Sequence, residues 1–313
     1  MKLKSLDIGR LSTKNNLFFA PMAGYSDYAF RGLCSVLGTG VVVTEMVSAK
    51  GLMYKNENTS ALLEKSPDEN LTIAQIFGHE PDVMRAACES EFLKDYPIID
   101  VNMGCPVNKI YGNGEGSKLM ETPDLAEKII SECAKSGKTI TVKFRAGIRE
   151  NELIAADFAK MAEQAGAKLI TIHGRTKEGM YSGPVHFDEI ARAKAAVSVP
   201  VIANGGIFTP ADADEMIEKT GADGVAVARG ALFDPLIFSR ISGNETSLSL
   251  VDCVEYLVEK RKLTQPDVIV AHALRKFVAQ LFKGVRGGKE AKLKIFAAES
   301  TEEILSVCRE YLV

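Results

Sequence analysis

Short apolar segments alternate with amphipathic ones along the first 232 residues of the chain. Eight segments are almost continuously apolar and rich in β-branched residues, which is typical of strands covered on both faces. They occupy residues 16–24, 41–49, 71–78, 98–106, 139–147, 168–175, 200–207 and 224–232. Between them lie stretches with apolar residues at helical spacing, including residues 81–93, 122–136, 152–165 and 210–219. Strands that alternate with helices in this way predict a parallel sheet of the α/β class.

The number of predicted strands indicates how this sheet is arranged. Eight strands close a TIM (β/α)8 barrel, and an open, doubly wound sheet is the alternative. Polar residues and glycines cluster at the C-terminal end of nearly every predicted strand. Because barrel enzymes build their sites at that ring of strand ends, the pattern favours the barrel.

The last part of the chain has a different pattern, with no strand signal from residue 243 onward. Its apolar residues follow helical spacing at residues 249–262, 267–284, 288–297 and 300–312. We therefore predict two domains, a barrel at residues 1–242 and a small all-helical C-terminal domain at residues 243–313. The polar segment at residues 242–246 would join them.

Composition narrows the class of protein further. The 313 residues are 46% hydrophobic and 25% charged, as in an ordinary soluble globular protein. The six cysteines form no C-x-x-C pair and have no histidine cluster beside them, which argues against a zinc or iron–sulfur site and suits a reducing compartment. The N-terminus lacks an apolar signal sequence, and no apolar run reaches the roughly 18 residues of a membrane span. We expect a cytoplasmic monomer with no membrane segment and no evident protein partner.

Cys105 is the first candidate for chemistry, because it ends the fourth predicted strand in the motif Asn102-Met103-Gly104-Cys105-Pro106. Gly104 permits unusual backbone angles and Pro106 stops the strand, so the thiol should face the barrel mouth. A free cysteine is often a small buried hydrophobic residue, and Cys105 could be one. Its ordinary pKa of about 8.5 would equally keep it protonated at neutral pH and able to act as an acid.

Further polar residues lie within predicted strands or at their ends. Lys143 and Arg145 share one face of the fifth strand, where anionic groups at the mouth or acidic residues in neighbouring loops would satisfy them. His173 ends the sixth strand and is followed by Gly, Arg and Thr. Gln75 is a neutral amide in the third strand, and its amide group suits hydrogen bonding to a planar heterocycle.

Glycine turns follow the last two predicted strands, at Asn204-Gly205-Gly206 and Ala228-Arg229-Gly230. In many barrels these two loops form a phosphate site, and Arg229 could add a bidentate contact. Either turn alone could be an ordinary turn, but together they predict a phosphorylated planar cofactor. FMN fits, with its phosphate at these loops and its ring edge at Gln75 and Lys143.

Eight motifs, taken in order, resemble those of the tRNA-dihydrouridine synthase family and cover most of residues 15–235. They are APMAGYSDYAFR (20–31), TEM (44–46), QIFG (75–78), VNMGCP (101–106), VKFRAG (142–147), IHGRT (172–176), NGGI (204–207) and ARGAL (228–232). That family reduces the C5–C6 double bond of selected uridines in tRNA, using FMN that NADPH reduces. The resemblance therefore implies a flavin-dependent oxidoreductase.

The resemblance also implies roles for individual residues. It places the flavin against Pro21, Met22, Ala23, Gln75, Lys143, His173, Asn204, Gly205, Gly206, Ala228 and Arg229. It places the target nucleotide against Asn102, Arg145 and Arg175. Cys105 would give a proton to C5 of the uracil after hydride reaches C6, because that carbon then needs an acid.

A tRNA partner needs positive surface, and the predicted helical domain carries it. Between Lys260 and Lys294, ten basic residues stand against two acidic ones, in a chain whose net charge is −3. Charge runs often mark solvated faces, but their concentration here favours RNA binding. We expect tRNA to contact Lys283 and Arg286, and the target base must turn out of its stack to reach the flavin.

Two other functions are open at this point. One is a flavin barrel enzyme for a free metabolite such as dihydroorotate, which the basic tail and the motif at residues 101–106 argue against. The other is an RNA-binding protein that has lost catalysis, which the presence of Cys105, Lys143 and His173 argues against.

Overall fold

Eight strands, named β1 to β8 in chain order, form the wall of a barrel in the computed structural model, which describes residues 1–244 and 246–312. The strands are Leu17–Phe19, Val41–Val43, Leu71–Phe77, Ile98–Met103, Thr139–Gly147, Ile170–Thr176, Val201–Asn204 and Gly224–Val227. Each overlaps one of the eight apolar segments of the sequence. The strand positions were therefore predicted correctly from the run of apolar residues.

The sheet of these strands closes on itself. Every neighbouring pair is parallel, and β1 pairs with β8 on one side and with β2 on the other. The remaining pairs run in sequence from β2 to β8. A short extra strand, Val47–Ser48, lies beside the end of β3. The predicted (β/α)8 barrel is confirmed, and the open doubly wound sheet is wrong.

The N-terminal end of the barrel is filled by apolar side chains. The inward-facing cluster comprises Phe18, Val41, Val43, Ile73, Ile98, Leu169, Ile202 and Ala226. A hairpin of Asp7–Ile8 and Leu11–Ser12 adds Leu6 and Ile8 to this cluster. Its turn lies so close to the start of β5 that a Cβ on Gly9 would be 2.6 Å from Thr139 Oγ1. The hairpin thus plugs one end of the barrel, and the C-terminal strand ends stay open.

Helices alternate with the strands and cover the outside of the barrel. They are Tyr28–Val36, Ala49–Met53, Glu57–Ala61, Pro81–Glu89, Asn108–Gly112, Pro123–Lys135, Ala155–Gln164, Phe187–Ala196, Pro210–Thr220, Arg229–Phe233 and Ile237–Ser242, with 3-10 turns at Glu91–Leu93 and Gly116–Glu121. The helix predicted at residues 81–93 is broken at Ser90, whose backbone is extended with ψ of 153°. The helix predicted at residues 152–165 starts later, because Leu153 forms a bridge with Gly147 instead.

In the part of the tail that the structure describes there are four helices, at Leu250–Lys262, Asp267–Leu281, Gly288–Ala297 and Thr301–Tyr311. The first begins with a capping box, in which Ser249 and Asp252 satisfy each other's backbone N–H groups. The tail is therefore helical, as predicted. Among the described residues, none of the helices combines the length and the apolar character needed to cross a lipid bilayer.

The tail shares a hydrophobic core with the barrel. Phe277 of the second tail helix packs on Phe30, with ring centroids 4.7 Å apart, and Phe30 packs on Phe19 of β1 at 5.1 Å. A partly buried ion pair supports this contact, because Arg261 donates to Asp27 at 2.6 Å. The division at residue 242 stays a prediction, since one continuous core runs across it.

Candidate active site

A cavity of about 540 Å³ opens at the C-terminal ends of the strands. All residues expected to contact the cofactor line it, namely Pro21, Met22, Ala23, Gln75, Lys143, His173, Asn204, Gly205, Gly206, Ala228 and Arg229. Cys105 lines it as well, together with Asn102, Arg145 and Arg175. Lys283 and Arg286 do not, because they are exposed on the tail outside the cavity. Residues from seven strand ends or loops thus meet in one place.

The register of the strands explains how these side chains come together. Gln75 of β3 lies opposite Asp100 of β4, and Asn102 of β4 lies opposite Lys143 of β5. Alternate residues of a strand share a face, so Asp100 and Asn102 both point into the barrel. Two residues further along β5, Arg145 lies opposite His173 of β6. Adjacent polar positions of this kind form a continuous layer just below the barrel mouth.

A directed chain of hydrogen bonds runs through this layer. Thr141 Oγ1 and Gln75 Nε2 donate to the carboxylate of Asp100 at 2.6 and 2.7 Å. Asn102 Nδ2 donates to Gln75 Oε1 at 2.9 Å, and the backbone N–H of Cys105 donates to Asn102 Oδ1 at 3.0 Å. Because a carboxylate only accepts, it fixes the orientation of both amides. The chain therefore anchors the backbone of Cys105 to a buried acid.

Cys105 is half-buried at the lip of the cavity, whereas the other five cysteines are buried. Burial raises the pKa of its thiol, and the nearby N–H of Val107 and the charge of Arg145 only partly oppose this. The Cys105 carbonyl accepts from Ser117 N at 3.0 Å, and a Cβ on Gly116 would lie 2.8 Å from the same oxygen. The thiol is therefore protonated at neutral pH, and the backbone of Cys105 is held by the loop that follows it.

Lys143 places an ammonium group at the floor of the cavity. Its Nζ donates to Asn204 Oδ1 at 3.3 Å, and Asn204 in turn donates to the carbonyl of Ala226 at 2.7 Å. Burial, followed by repulsion from Arg145, lowers the pKa of Lys143 to about 8. The floor thus carries a positive charge that is ready to be satisfied by an anionic ligand.

The cavity wall is strongly positive. Among the described residues its lining includes no aspartate or glutamate, but it includes Lys143, Arg145, Arg175 and Arg229. Burial and these cations keep the pKa of His173 well below its ordinary value, so its ring is neutral at pH 7. A neutral ring among four cations can accept as well as donate a hydrogen bond, and the surrounding charge favours an anionic ligand.

The loop after β7 forms a cradle beside these cations. Gly205 and Gly206 have φ of +121° and +75°, values that side chains rarely adopt. A Cβ on Gly205 would lie 2.9 Å from the ring of His173. Arg175 donates through Nε to the carbonyl of Gly183 at 2.6 Å, yet its buried Nη1 has no protein partner. An unpaired buried donor beside a glycine turn fits a bound phosphate.

Arg145 is committed to the protein backbone rather than free in the cavity. It donates to the carbonyls of Gly104 at 2.7 Å, Thr176 at 2.9 Å and Met180 at 2.8 Å. Burial lowers the pKa of its guanidinium to about 10. Arg145 therefore ties the Cys105 strand end to the loop after β6, and its contact with the target nucleotide stays a prediction.

Comparison with known proteins decides the family. The chain matches the family described as dihydrouridine synthase (Dus) over residues 18–311. This chain belongs to the dihydrouridine synthase family. The resemblance seen in the sequence motifs is thereby confirmed, and it extends through the helical tail.

Relatives of this dihydrouridine synthase family member support the same conclusion. It is 34% identical over 310 residues to a protein of Pseudomonas putida named tRNA-dihydrouridine synthase B, covering 96% of this chain and 92% of that protein. It is 38% identical over 240 residues to a probable tRNA-dihydrouridine synthase of Rickettsia conorii, covering 75% and 72%. Its fold resembles that of morphinone reductase in complex with tetrahydroNAD, with a TM-score of 0.54 at 11% identity, covering 78% and 91%.

The tail of this family member separates its cations into two groups. Five of the ten basic residues between 260 and 294 form ion pairs with carboxylates, namely Lys260, Arg261, Lys262, Arg275 and Lys294. The other five have no carboxylate partner among the described residues, and they are Lys276, Lys283, Arg286, Lys289 and Lys292. The charge of a paired cation is already balanced by a carboxylate, whereas an unpaired cation is available to a polyanion. The five unpaired cations therefore define a smaller basic surface than the ten residues that the sequence predicted.

The rim of the cavity contains residues that sequence reasoning missed. Tyr181, Phe208, Phe233 and Gln280 all line it, the last from the second tail helix. Phe208 could have been found, because it directly follows the glycine turn after β7. Gln280 carried no signal, since it lies in an amphipathic helix far from every motif. Sequence reasoning also missed Asp100, although an acidic residue within an apolar strand is as unusual as the lysine at position 143.

Proposed function

We propose that this protein reduces the C5–C6 double bond of uridines in tRNA to 5,6-dihydrouridine, with FMN in the barrel and NADPH as the reductant. The observation that carries this function is the protonated thiol of Cys105 at the lip of a cationic cavity, in a member of the dihydrouridine synthase family. A cytoplasmic site of action and a monomeric state belong to the same proposal.

The positive charge of the cavity and the glycine cradle at its edge support FMN as the cofactor. The glycine cradle after β7 and the guanidinium of Arg229 would hold the phosphate. Arg175, which the family resemblance placed against the target nucleotide, would join them, because its unpaired Nη1 lies beside Gly205. Pro21 with its neighbours at the end of β1 would lie against the ring. Lys143 would bind the ring edge that becomes negative on reduction. When bound, FMN supplies the hydride that the uracil accepts.

The residues of this chain supply the remaining proton. Hydride addition at C6 leaves an enolate, whose C5 requires a general acid. Cys105 holds its proton at neutral pH because burial raises the pKa of the thiol, and it borders the space in which the base would lie. The hydrogen-bond chain from Asp100 keeps its backbone in place. Positioned acid catalysis of this kind contributes roughly 10² to 10⁴ in rate.

The low pKa of Lys143 predicts how FMN binding depends on pH. Below pH 8 the ammonium is charged and can donate to the electronegative edge of the flavin ring, and above pH 8 it loses its proton. We expect each pH unit above 8 to weaken FMN binding by up to about tenfold, since a tenfold change in affinity accompanies one unit of titration. Titration of flavin fluorescence with the apoprotein at pH 7 to 9.5 measures this. In Lys143→Met the affinity should be lower and flat over this range, and a persisting inflection would assign it to another group.

A direct assay tests the proposed function. The purified protein with FMN and NADPH is incubated with tRNA transcribed without modifications, and dihydrouridine is counted by mass spectrometry. We expect each product to gain two hydrogens and NADPH to be consumed in step. Turnover of a free pyrimidine such as orotate, with tRNA uridines left unreduced, would overturn the proposal in favour of a metabolite enzyme.

A further inference from the structure

Aromatic rings and cations alternate along the rim of the cavity. The guanidinium of Arg145 lies 5.7 Å from the ring centroid of Tyr181, and that of Arg229 lies 5.4 Å from the same ring. Arg229 also lies 5.9 Å from the ring of Phe208. The series continues toward the tail through two stacked rings and a lysine, and we call the whole series the rim ladder. Its members are Arg145, Tyr181, Arg229, Phe208, Phe233 and Lys283.

The second half of the rim ladder joins the barrel to the tail. The rings of Phe208 and Phe233 stack at 5.8 Å with an interplanar angle of 11°. Lys283 Nζ lies 4.0 Å from the centroid of Phe233. The ladder therefore runs from Arg145, beside the Cys105 strand end, to Lys283 on the exposed basic surface of the tail.

Two rings of the rim ladder are open to solvent although they line the cavity. Tyr181 is 47% exposed and Phe208 is 40% exposed. Large aromatic side chains are usually covered in a monomer, and exposed ones beside a site mark a binding surface. The inner cradle is already suited to the cofactor phosphate, so these rings are available to a ligand that enters from outside.

Resting on the proposed function, we infer that the rim ladder binds the single-stranded nucleotides that flank the reacting uridine. Aromatic rings stack on bases irrespective of sequence, and Lys283 at the outer end can bind a phosphate of the same strand. The ladder follows the path that a strand must take from the basic tail to the cavity once the target base has left its stack. No carboxylate lines this path among the described cavity residues, so a polyanion meets no repulsion there.

Removal of single rings tests this inference. We expect Tyr181→Leu and Phe208→Leu each to raise the KM for tRNA roughly tenfold, because stacking on one aromatic side chain is lost. The rate of flavin reduction by NADPH without tRNA and the flavin absorption spectrum should not change. Tyr181→Phe keeps the ring and should keep the wild-type KM. The salt dependence of tRNA binding should also stay as in the wild type, because no charge has been removed.

A matched control comes from Tyr54, which is 76% exposed and does not line the cavity. Tyr54→Leu should leave the KM for tRNA unchanged, and an equal rise in this variant would contradict the inference. A slower flavin reduction in Tyr181→Leu with an unchanged KM for tRNA would assign the ladder to the dinucleotide reductant instead. If both ring variants show wild-type turnover and a normal KM, the inference is wrong and the proposed function still holds. A wild-type protein that leaves tRNA unreduced overturns the proposed function with it.

Discussion

Cys105→Ala is expected to lower the rate of uridine reduction by roughly 10² to 10⁴ while flavin and tRNA binding persist, because the general acid is removed and no charge changes. The thiol occupies a half-buried position at the cavity lip, so a smaller side chain should not disturb packing. Single-turnover kinetics separate the steps. Reduction of the flavin by NADPH should keep its rate, and only its reoxidation by tRNA should slow.

A matched cysteine variant distinguishes chemistry from stability. Cys308 is buried in the last tail helix, far from the cavity lining. Cys308→Ala should lower the melting temperature through lost packing and leave the reoxidation rate unchanged. Reoxidation at the wild-type rate in Cys105→Ala would remove this residue from the mechanism. The proton would then have to come from another group or from solvent.

Reversal of two charges on the tail is expected to have the second largest effect. Lys283 and Arg286 are exposed and have no carboxylate partner among the described residues, so they are available to phosphates. In Lys283→Glu with Arg286→Glu, two attractive contacts become repulsive, and we expect tRNA affinity to fall by about 10² at moderate salt. The slope of log affinity against log salt should become shallower by about two, one for each lost phosphate contact. Filter binding over a series of salt concentrations measures both quantities.

The control for this variant changes net charge equally at another place. Lys128 and Lys160 are exposed on helices Pro123–Lys135 and Ala155–Gln164 of the barrel, away from the tail. Lys128→Glu with Lys160→Glu should leave the salt slope unchanged and reduce affinity only slightly. Equal losses in the two double variants would mean that total charge, and not the basic surface of the tail, governs binding.

Much of the fold follows from the periodicity of the sequence, because a buried parallel strand needs a continuous apolar run. The eight runs gave the strands, and the polar residues that interrupt their ends gave the cavity. The pattern could not predict where each helix begins and ends. Ser90 breaks one predicted helix with an extended backbone, and Leu153 delays the start of another by pairing with Gly147, a contact that forms only when the chain folds.

The residues of the candidate site were likewise predictable only in part. Cys105, Lys143 and the glycine turn at Gly205 were recognisable, because each is a residue that its local pattern does not favour. Tyr181 was not recognisable, since an aromatic residue in a loop is common and its position between two arginines exists only in three dimensions. Arg145 was expected in the site, but its hydrogen bonds to backbone carbonyls were not. The sequence does not show which groups a guanidinium will bind.

The packed rings of Phe19, Phe30 and Phe277 have a consequence for the choice of uridine. They join a barrel strand to the helix that carries Gln280, and separation of tail and barrel would expose the facing rings of Phe30 and Phe277 to water. The distance between the basic surface of the tail and the cavity is therefore fixed. Under the proposed function, the uridine that reaches Cys105 would be the one that this distance separates from the phosphates bound at the basic surface.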